Sequence, residues 1–521
     1  MKEKKIFVIV SILLSIGTFV LMPNFDDWEL VMSKGMGEGM TTSELLKELL
    51  LPNHLYWRPL YQIYKYVIAN YAIWSFPYIN HIINSVGITA VAYNVFRLLI
   101  RMKINTKTAL IASLSLIISA TSMGSLLNID SVHNVGAAYF GMLSLMCYIS
   151  GGKYRYVNWL FWGVVAAFSK ENGFVWFVMG PIVEELILQR NTYGCFRFSQ
   201  IQNWTRFIQK CMLASVPILI FLSLYLMMRP GVIGQIGMSE NTEYVKTVAA
   251  PISSQLFDMQ APNMDDPNSW YKLTPIMFLK NIGILYFLGI IPIDTTAVYY
   301  RNYLPLFLTI LFSIVWLLFL CKKTLVYVRK NLQEFIYIGL IIIWLSGPSL
   351  VTRAGEISPF INLTFEFILL AFIFNYHTIS KVGYTCIVSF FIATLITDSH
   401  KFYISYKSGH QPMIMADNII SNMKEPPTSV CLVKVDNYSR KKAGAFIYNV
   451  GKGFLRGEPV RYKYNYEYPK HIRTIEIPER DKITIETTVD SIVENCRKSK
   501  QYDYLWFVYN ENVKVYNLKN K

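Results

Sequence analysis

Two adjacent carboxylates, Asp26 and Asp27, follow the first apolar run of the chain by only a few residues. The run reads "IFVIVSILLSIGTFVLM" and continues as "PNFDDWEL", which also supplies Trp28. A carboxylate can act as a general base, and repulsion between two neighbouring carboxylates raises the pKa of one of them. The alternative is a solvated charge pair at a helix end. The stretch therefore predicts either proton transfer beside a membrane or a charged cap.

Further polar residues stand where other apolar runs begin or end. Arg58 lies between Trp57 and Pro59. His81 and Asn84 lie three residues apart, on one helical face. The stretches "NIDSVHN", "SKENG" and "VTRAGEIS" add Asp130, His133, Lys170, Glu171, Arg353 and Glu356. Ionisable groups at membrane depth are costly and mark functional sites by default. We expect these side chains to converge on one cavity.

Each of these residue types also has a structural alternative. For the arginine in "YWRPL" it is a lipid headgroup contact, and for the lysine and glutamate in "SKENG" it is a local ion pair. For the two histidines it is a hydrogen-bonded structural role. The two tryptophans would either stack on a sugar ring or anchor the chain at the membrane interface.

The composition indicates a helical membrane protein. Of the 521 residues, 53% are hydrophobic and only 16% are charged, and the mean hydropathy is +0.32. Soluble globular chains carry about a quarter charged residues. Apolar runs of about 17–25 residues, each long enough to cross about 30 Å of hydrocarbon, recur along most of the chain. The first run lacks a small-residue cleavage site, so we expect a retained span rather than a signal peptide.

Eleven apolar runs predict transmembrane helices. They cover residues 5–22, 77–100, 108–127, 134–150, 156–169, 173–189, 211–228, 303–321, 335–351, 359–377 and 382–397. A further apolar segment covers residues 277–294. We expect this segment to be interfacial or re-entrant on the outer face, because a crossing there would invert the side of every later basic loop.

The positive-inside rule gives the orientation of these spans. Lys2, Lys4 and Lys5 place the N-terminus in the cytoplasm. The basic connectors that fall on the same side hold Arg97, Arg101, Lys103, Lys107, Lys153, Arg155, Arg190, Arg197, Arg206, Lys210, Lys322, Lys323, Arg329 and Lys330. The net charge of +16 then predicts anionic membrane lipids as neighbours and no nucleic-acid partner. We expect the chain in a bacterial inner membrane.

The elaborated parts of the chain then lie outside the cytoplasm. A transmembrane domain over residues 1–397 carries outer loops 23–76 and 229–276, and residues 398–521 form a C-terminal extracytoplasmic domain. In that domain "SVCLVKV", "VRYKYNYEY", "RTIEI", "KITIE" and "YLWFVY" predict strands, and "KAGAFIYNVGKGF" and "VDSIVENCRKS" predict helices. The pattern indicates a small α+β domain. Its Cys431 and Cys496 form either a disulfide or two separate buried thiols.

An enzyme on the outer side requires a donor that already lies in the membrane. ATP and nucleotide-sugars are absent there, and the sequence contains no phosphate loop of the form G-x-x-x-x-G-K-[ST]. No spacing of residues indicates a metal site either. We therefore expect neither a metal nor a cofactor.

The order of the motifs resembles a known family. An acidic pair after the first span, "RPL", "NHIIN", the loop "NIDSVHN", "SKEN" and "TRAGEIS" follow one another. This order resembles the GT-C superfamily of membrane glycosyltransferases that use polyprenyl-phosphate sugars, in particular the protein O-mannosyltransferase-like branch. The segment "LKNIGILYFLGIIPI" is similar to an outer segment of that branch. The resemblance covers about residues 1–400 and departs at Gly87 and Ile88, near which relatives often carry a second histidine.

The resemblance implies transfer of a sugar from polyprenyl phosphate to a hydroxyl of a glycan, lipid or protein acceptor, with inversion. Its first acidic residue is the usual base, which favours Asp26 over Asp27, while Asp130 would orient the acceptor or share that role. Arg58, Lys170 and Arg353 would bind the donor phosphate. Supporting positions would be Trp28, Trp57, His81, Asn84, His133, Glu171 and Glu356.

Two other functional classes are open at this point. A polysaccharide polymerase or ligase of the O-antigen type also uses polyprenyl-linked glycans, but its catalytic arginine and histidine lie late in the chain. A transporter of lipid-linked glycans would predict internal repeats and charges near the bilayer midplane. The early acidic pair and the charges at span ends favour a membrane glycosyltransferase.

Overall fold

A computed structural model describes residues 2–23, 39–51, 57–201, 203–228, 275–294, 297, 302–350, 360–376, 381–436, 458–464, 467–478, 482–509 and 512–519. The predicted site residues Asp26, Asp27, Trp28, Arg353 and Glu356 lie outside these ranges, as do the predicted helix "KAGAFIYNVGKGF" and most of loop 229–276. The described residues fall into two compact units, and their main division lies between His400 and Lys401. The sequence-based boundary lies three residues earlier.

The first unit is helical. Its helices are α1 (Lys2–Thr18), α2 (Thr42–Leu50), α3 (Pro59–Tyr71), α4 (Tyr78–Arg101), α5 (Thr106–Ile117), α6 (Ala120–Leu127), α7 (Val132–Ile149), α8 (Arg155–Ser169), α9 (Met179–Tyr193), α10 (Trp204–Met228), α11 (Pro275–Tyr286), α12 (Tyr303–Leu350), α13 (Phe360–Asn375) and the first part of α14 (Lys381–Ser421). Short 3-10 helices cover Ile73–Ser75, Ile129–Ser131, Glu171–Val178 and Phe198–Gln200.

Among the described helices, α4, α7, α10 and α12 are each long and apolar enough to cross a membrane. The pair α5 and α6, bent by 45°, makes a fifth when counted as one span. The apolar helix α13 is shorter. The chain is thus a helical membrane protein by the length and composition of these helices. The larger number of eleven spans stays a prediction, although a described helix overlaps each predicted run.

One end of the first unit gathers basic residues. The guanidinium of Arg101 donates a hydrogen bond of 3.1 Å to the carbonyl of Ile149, and the ammonium of Lys103 donates one of 2.8 Å to the carbonyl of Asn191. The C-terminal ends of α4, α7 and α9 therefore meet. We call this the basic end, defined by Arg101, Lys103, Lys107, Arg190 and Lys330.

A buried carboxylate connects three chain segments at the basic end. Glu334 is only 1% exposed, and its Oε1 lies 2.7 Å from Nη1 of Arg190. The same carboxylate accepts a hydrogen bond from the hydroxyl of Tyr327 and one of 2.9 Å from the backbone N–H of Phe196. Residues of α9, α12 and the segment between α9 and α10 are thus held by one side chain.

Helix α12 is a hairpin rather than a rod. Its backbone is non-helical at Asn331, with φ −128° and ψ 39°. Trp316 donates to the carbonyl of Ile290 at 3.0 Å, and the hydroxyls of Tyr286 and Ser346 lie 2.6 Å apart. Residues 316 and 346 therefore both lie beside one short stretch, whereas a straight helix would separate them by about 45 Å. The predicted spans 303–321 and 335–351 correspond to the two arms.

The segment that follows α11 returns toward the open end of this hairpin. Asn281 donates to the carbonyl of Leu350, the last residue of α12, at 3.0 Å. Thirteen residues later, the backbone N–H of Asp294 donates to the hydroxyl of Thr309, near the first turns of α12, at 3.3 Å. The carboxylate of Asp294 also contacts His400 at 2.6 Å. Both ends of residues 281–294 thus contact the same end of the hairpin.

The second unit contains a four-stranded sheet. Its elements after α14 are β1 (Ser429–Asp436), α15 (Glu458–Lys463), β2 (His471–Pro478), α16 (Lys482–Ser499), β3 (Tyr504–Tyr509) and β4 (Asn512–Asn517). The strand order is β2-β1-β3-β4, with β1 parallel to β2 and β3, and β4 antiparallel to β3. The central strands β1 and β3 carry continuous buried apolar residues, because core residues cover both faces.

Two strand predictions in this unit are wrong. "KITIE" begins helix α16, where Ile485, Val489 and Val493 recur every four residues on one buried face. The first part of "VRYKYNYEY" lies in helix α15, because Val460 packs into the core with Tyr464 beside it, four residues later. In both segments a short alternating pattern was outweighed by a helical pattern that buries more apolar surface.

Cys431 on β1 and Cys496 on α16 are both free thiols. Both lie buried in the same apolar cluster. Burial, followed by the neighbouring thiol of Cys496, raises the pKa of Cys431 to about 12. The structure therefore has two adjacent buried thiols at this place.

Candidate functional site

The end of the first unit opposite the basic end holds most of the described site candidates. There α3 and α4 begin, α6 ends, α7 begins after Ile129–Ser131, and α8 gives way to the 3-10 helix Glu171–Val178. Pro59 at the first position of α3 suits a helix start, because its fixed φ is helical and its missing N–H is not needed there. We call this the polar end, defined by Arg58, His133, Asn134, Lys170 and Glu171.

The carboxylate of Glu171 joins two distant motifs. Its Oε2 accepts a hydrogen bond of 2.8 Å from Nε of Arg58, and its Oε1 accepts one of 3.0 Å from the backbone N–H of Trp57. The two charged side chains are 14% and 23% exposed. The structure therefore brings together "WRPL" and "SKENG", which the sequence separates by more than a hundred residues. The ion pair joins these two motifs rather than neighbours within "SKENG".

Trp57 is part of the core. It is 4% exposed, stacks on Phe221 with a centroid distance of 5.2 Å, and donates its indole N–H to the carbonyl of Leu50 at 2.8 Å. Its ring is thus covered by protein and fixes the position of the backbone next to Arg58. This geometry does not match the expected sugar platform or an interfacial anchor.

A second chain of contacts starts at Lys170. Its ammonium donates to the amide oxygen of Asn134, and the amide nitrogen of Asn134 donates to Nε2 of His133 at 3.2 Å. The ring of His133 lies 5.0 Å from that of Tyr61 on α3. Lys170 and His133 therefore belong to one cluster with the start of α7, as the sequence predicted from their places at span ends.

Lys65 was missed by the sequence analysis. It lies on α3, is only 6% exposed, and places its ammonium 5.5 Å from the ring centroid of Tyr61. A signal was present, because Arg58, Tyr61 and Lys65 are spaced three and four residues apart, which puts them on one helical face. The sequence did not predict that Lys65 is buried, because its burial depends on residues that are distant in the chain.

His81 and Asn84 are fully buried on α4 and bind the end of α6. Nδ1 of His81 lies 3.0 Å from the carbonyl of Leu126 and must carry the proton, because a carbonyl only accepts. The amide nitrogen of Asn84 donates to the carbonyls of Ser125 and Asn128 at 3.1 and 3.0 Å. These side chains satisfy carbonyls that a helix end leaves unpaired. They thereby position the turn that holds Asp130.

Asp130 lies in the 3-10 helix Ile129–Ser131, directly before α7. The structure places its backbone three residues before His133 and so at the polar end. Asp26, Asp27, Trp28, Arg353 and Glu356 are outside the described residues, so their relation to this end stays a prediction.

The described charges at this end are mostly positive. Arg58, Lys65 and Lys170 lie here together with the carboxylate of Glu171, and the backbone of Asp130 lies at the same end. Partial burial strengthens the electrostatic interactions of such charges, because the surrounding dielectric constant is lower than in water. Guanidinium and ammonium groups bind phosphate oxygens well. Among the described residues, no group of three or more potential metal ligands occurs. The arrangement is suited to holding an anion.

Comparisons with known proteins do not add a family. A scan against protein-family models finds no match, and a search of curated proteins finds no similar sequence. The site geometry and the sequence motifs therefore carry the functional argument.

Proposed function

We propose that this protein transfers a sugar from a polyprenyl-phosphate donor to an acceptor hydroxyl at the membrane surface, with inversion at the anomeric carbon. The observation that supports this most directly is the ion pair of Arg58 with Glu171, beside the contact of Lys170 with Asn134. Two motifs of the suggested family meet there, at one end of a helical membrane bundle.

The reaction requires one bond to form and one to break. The acceptor oxygen attacks the anomeric carbon, and the bond from that carbon to the donor phosphate oxygen breaks. The acceptor proton passes to a carboxylate, and the electron pair stays on the departing phosphate monoester. A phosphate monoester leaves without protonation when cations stabilise its added negative charge.

The cations at the polar end are proposed to bind the donor phosphate. Arg58 offers a planar guanidinium whose orientation Glu171 fixes, and Lys170 adds an ammonium held by Asn134. Lys65 is proposed as a third cation, on α3 beside Tyr61. Arg353 is proposed as a further cation on the basis of the motif order alone.

The base is proposed to be Asp26, with Asp27 as the next candidate and Asp130 as the third. Asp130 has the support of its place in the turn before His133. The roles of Trp28 and Glu356 rest on the resemblance. We place the site on the outer face of a bacterial inner membrane, because the basic end then faces the cytoplasm.

The test is a transfer assay with the full-length protein in lipid nanodiscs and radiolabelled polyprenyl-phosphate mannose, glucose and arabinose derivatives. Release or transfer of the labelled sugar is expected with one of them. Arg58→Ala and Lys170→Ala should lower turnover by roughly two orders of magnitude each, as loss of a charge-stabilising donor does. The exposed Arg206→Ala is the matched control and should keep full turnover.

Two outcomes would contradict the proposal. One is the absence of hydrolysis and transfer with all donors while the protein binds none of them. The other is turnover that Arg58→Ala and Lys170→Ala leave at the level of Arg206→Ala. Polymerisation of a lipid-linked oligosaccharide, or its movement across the membrane without bond cleavage, would support the polymerase or the transporter class instead.

A further inference from the structure

A cleft with a cavity volume of about 50 Å³ opens among α5, α12, α13 and α14, away from the polar end. Its lining is almost wholly apolar, with Ile111, Trp316, Phe367, Phe374, Ile387 and Phe390 as its larger side chains. Leu318 and Val388, close along the chain to lining residues, are 69% and 52% exposed. The cleft therefore lies beside helix surfaces that are apolar and uncovered, as surfaces in contact with lipid chains are.

Three lysines stand where this cleft approaches the basic end. Lys107 is exposed and directly precedes the lining residue Thr108. The ammonium of Lys323 lies 5.6 Å from the ring centroid of Phe319, which stacks on the lining residue Phe374 at 5.9 Å. Helices α5 and α13 are also in direct contact here. The backbone N–H of Asn105, directly before α5, donates to the amide oxygen of Asn375, the last residue of α13, at 2.9 Å.

Lys330 completes this group. Its ammonium lies 5.7 Å from the ring centroid of Tyr376, two residues past the lining residue Phe374. The chain segments that line or border the cleft, residues 105–115, 316–330, 367–376 and 387–390, contain no aspartate or glutamate. An apolar cleft that ends at three cations is complementary to an amphiphile with a negatively charged head.

We propose that the cleft binds one acyl chain of an anionic glycerophospholipid, with its phosphate at Lys107, Lys323 and Lys330. The head lies at the basic end, so the occupant is distinct from a donor that presents its phosphate at the polar end. The inference does not depend on the proposed glycosyl transfer.

The test is native mass spectrometry of the full-length protein in detergent, with dioleoyl phosphatidylglycerol and dioleoyl phosphatidylcholine added at equal concentration. These probes share their chains and differ in head charge. We expect retention of the phosphatidylglycerol adduct to be roughly tenfold greater, since each basic residue near an anionic headgroup adds to binding. The triple variant Lys107→Gln, Lys323→Gln, Lys330→Gln should reduce that ratio to near unity.

The matched control replaces three other lysines that are exposed and predicted to lie on the same side, Lys4→Gln, Lys5→Gln and Lys153→Gln. It removes the same charge and should keep the ratio. A second variant, Ala112→Phe, places a ring in the cleft and should lower the retention of both lipids. The lysine variants alter no core residue, so they test the proposal even if Ala112→Phe fails to fold.

Three results would overturn the inference. The first is equal retention of the two lipids by the unaltered protein. The second is the same ratio in the cleft triple variant and in its control. The third is preferential retention of polyprenyl phosphate over phosphatidylglycerol that the cleft triple variant abolishes and Arg58→Ala preserves, which would assign the cleft to the isoprenoid carrier instead.

Discussion

Arg58 and Glu171 lie 113 residues apart in the chain, and Nε of the arginine donates a hydrogen bond of 2.8 Å to the carboxylate. The other oxygen of that carboxylate accepts the backbone N–H of Trp57 at 3.0 Å. One side chain thus fixes both the backbone and the guanidinium at the start of α3. The geometry makes Glu171 a positioning residue for Arg58.

Glu171→Ala should therefore weaken donor binding through Arg58. Loss of a partly buried, charged hydrogen bond costs about 1–3 kcal/mol, which corresponds to a roughly five- to 150-fold higher dissociation constant. The double variant with Arg58→Ala should be no weaker than Arg58→Ala alone, and Glu171→Gln should be milder. Equilibrium binding of polyprenyl phosphate measures this, with the exposed Glu48→Gln as control. Fully additive effects would contradict the assigned link.

Removal of the buried carboxylate at the basic end should cost far more stability. Glu334→Ala removes the acceptor of Nη1 of Arg190, of the hydroxyl of Tyr327 and of the N–H of Phe196. Breaking a buried pair from one side costs about 3–5 kcal/mol. Thermal unfolding in detergent is the measurement, and Arg329→Ala, at an exposed position on α12, is the control, with a small expected effect. Equal melting temperatures for the two variants would refute the prediction.

A methyl group at Gly173 should disturb the polar end. A Cβ there would lie 2.2 Å from the carbonyl oxygen of Ala166, which is backbone and cannot move aside as a side chain can. We expect Gly173→Ala to destabilise the protein by about 1–3 kcal/mol, as overpacking does. Gly339→Ala on α12 meets nothing within 4 Å and should be neutral or stabilising. Thermal unfolding of both variants decides the matter, and a stable Gly173→Ala variant would argue against this close packing.

The second unit should lose stability in acid through Asp503. Burial opposes ionisation of this carboxylate, but the N–H groups of Ser429 and Thr428 and the ammonium of Lys519 outweigh burial and hold its pKa below the usual value. A lowered folded-state pKa contributes stability above the unfolded value of about 3.9, and this contribution is lost as the pH falls below about 4. Hydrogen-exchange protection of residues 428–436 in the full-length protein should fall as the pH is lowered below about 4.

The variant Asp503→Asn should flatten that pH dependence, because an amide does not ionise. It should also lower protection at neutral pH, where the ion pair and the charged hydrogen bonds are lost. Asp490→Asn, at an exposed position on α16, should leave the profile unchanged. Hydrogen-exchange protection that does not change with pH in the unaltered protein would contradict the proposed stabilisation by Asp503.

Thiol reactivity should separate the cysteines. Cys431 and Cys496 are buried, and burial raises the pKa of Cys431 to about 12, so both should resist maleimide at pH 8 until the second unit unfolds. Cys321 is exposed and should react first when the protein is in detergent. Mass spectrometry of labelled peptides gives the order. Rapid labelling of Cys496 in the folded protein, or a disulfide between Cys431 and Cys496, would contradict the two-thiol description.

The helices were largely predictable because apolar runs of span length have few alternatives. The meeting of Arg58, Lys170 and Glu171 was also expected from their places at span ends. Their pairing was not, because a span order does not say which helices are neighbours. Lys65 was missed for the same reason, since its burial arises from residues far away in the sequence.

The second unit shows a different limit. "KITIE" alternates over five residues, a window too short to distinguish a strand from the first turn of a helix. Only the continuation through Val489, Val493 and Cys496 reveals the helical spacing. The parallel pairing of β1 with both neighbours is likewise a long-range property that no local pattern contains.

The contacts of Asn281 and Asp294 at one end of the α12 hairpin affect the number of membrane crossings assigned to the chain. A segment that enters and leaves the membrane on the same side adds no crossing. The residues before it and after it therefore lie on the same side of the membrane. Tags inserted before Asn281 and after Asp294 would then report the same compartment. The two arms of the α12 hairpin, which we expect to cross the membrane separately, would add two crossings and would also return the chain to the same side of the membrane. The side on which the second unit emerges is therefore decided by the helices outside these two features.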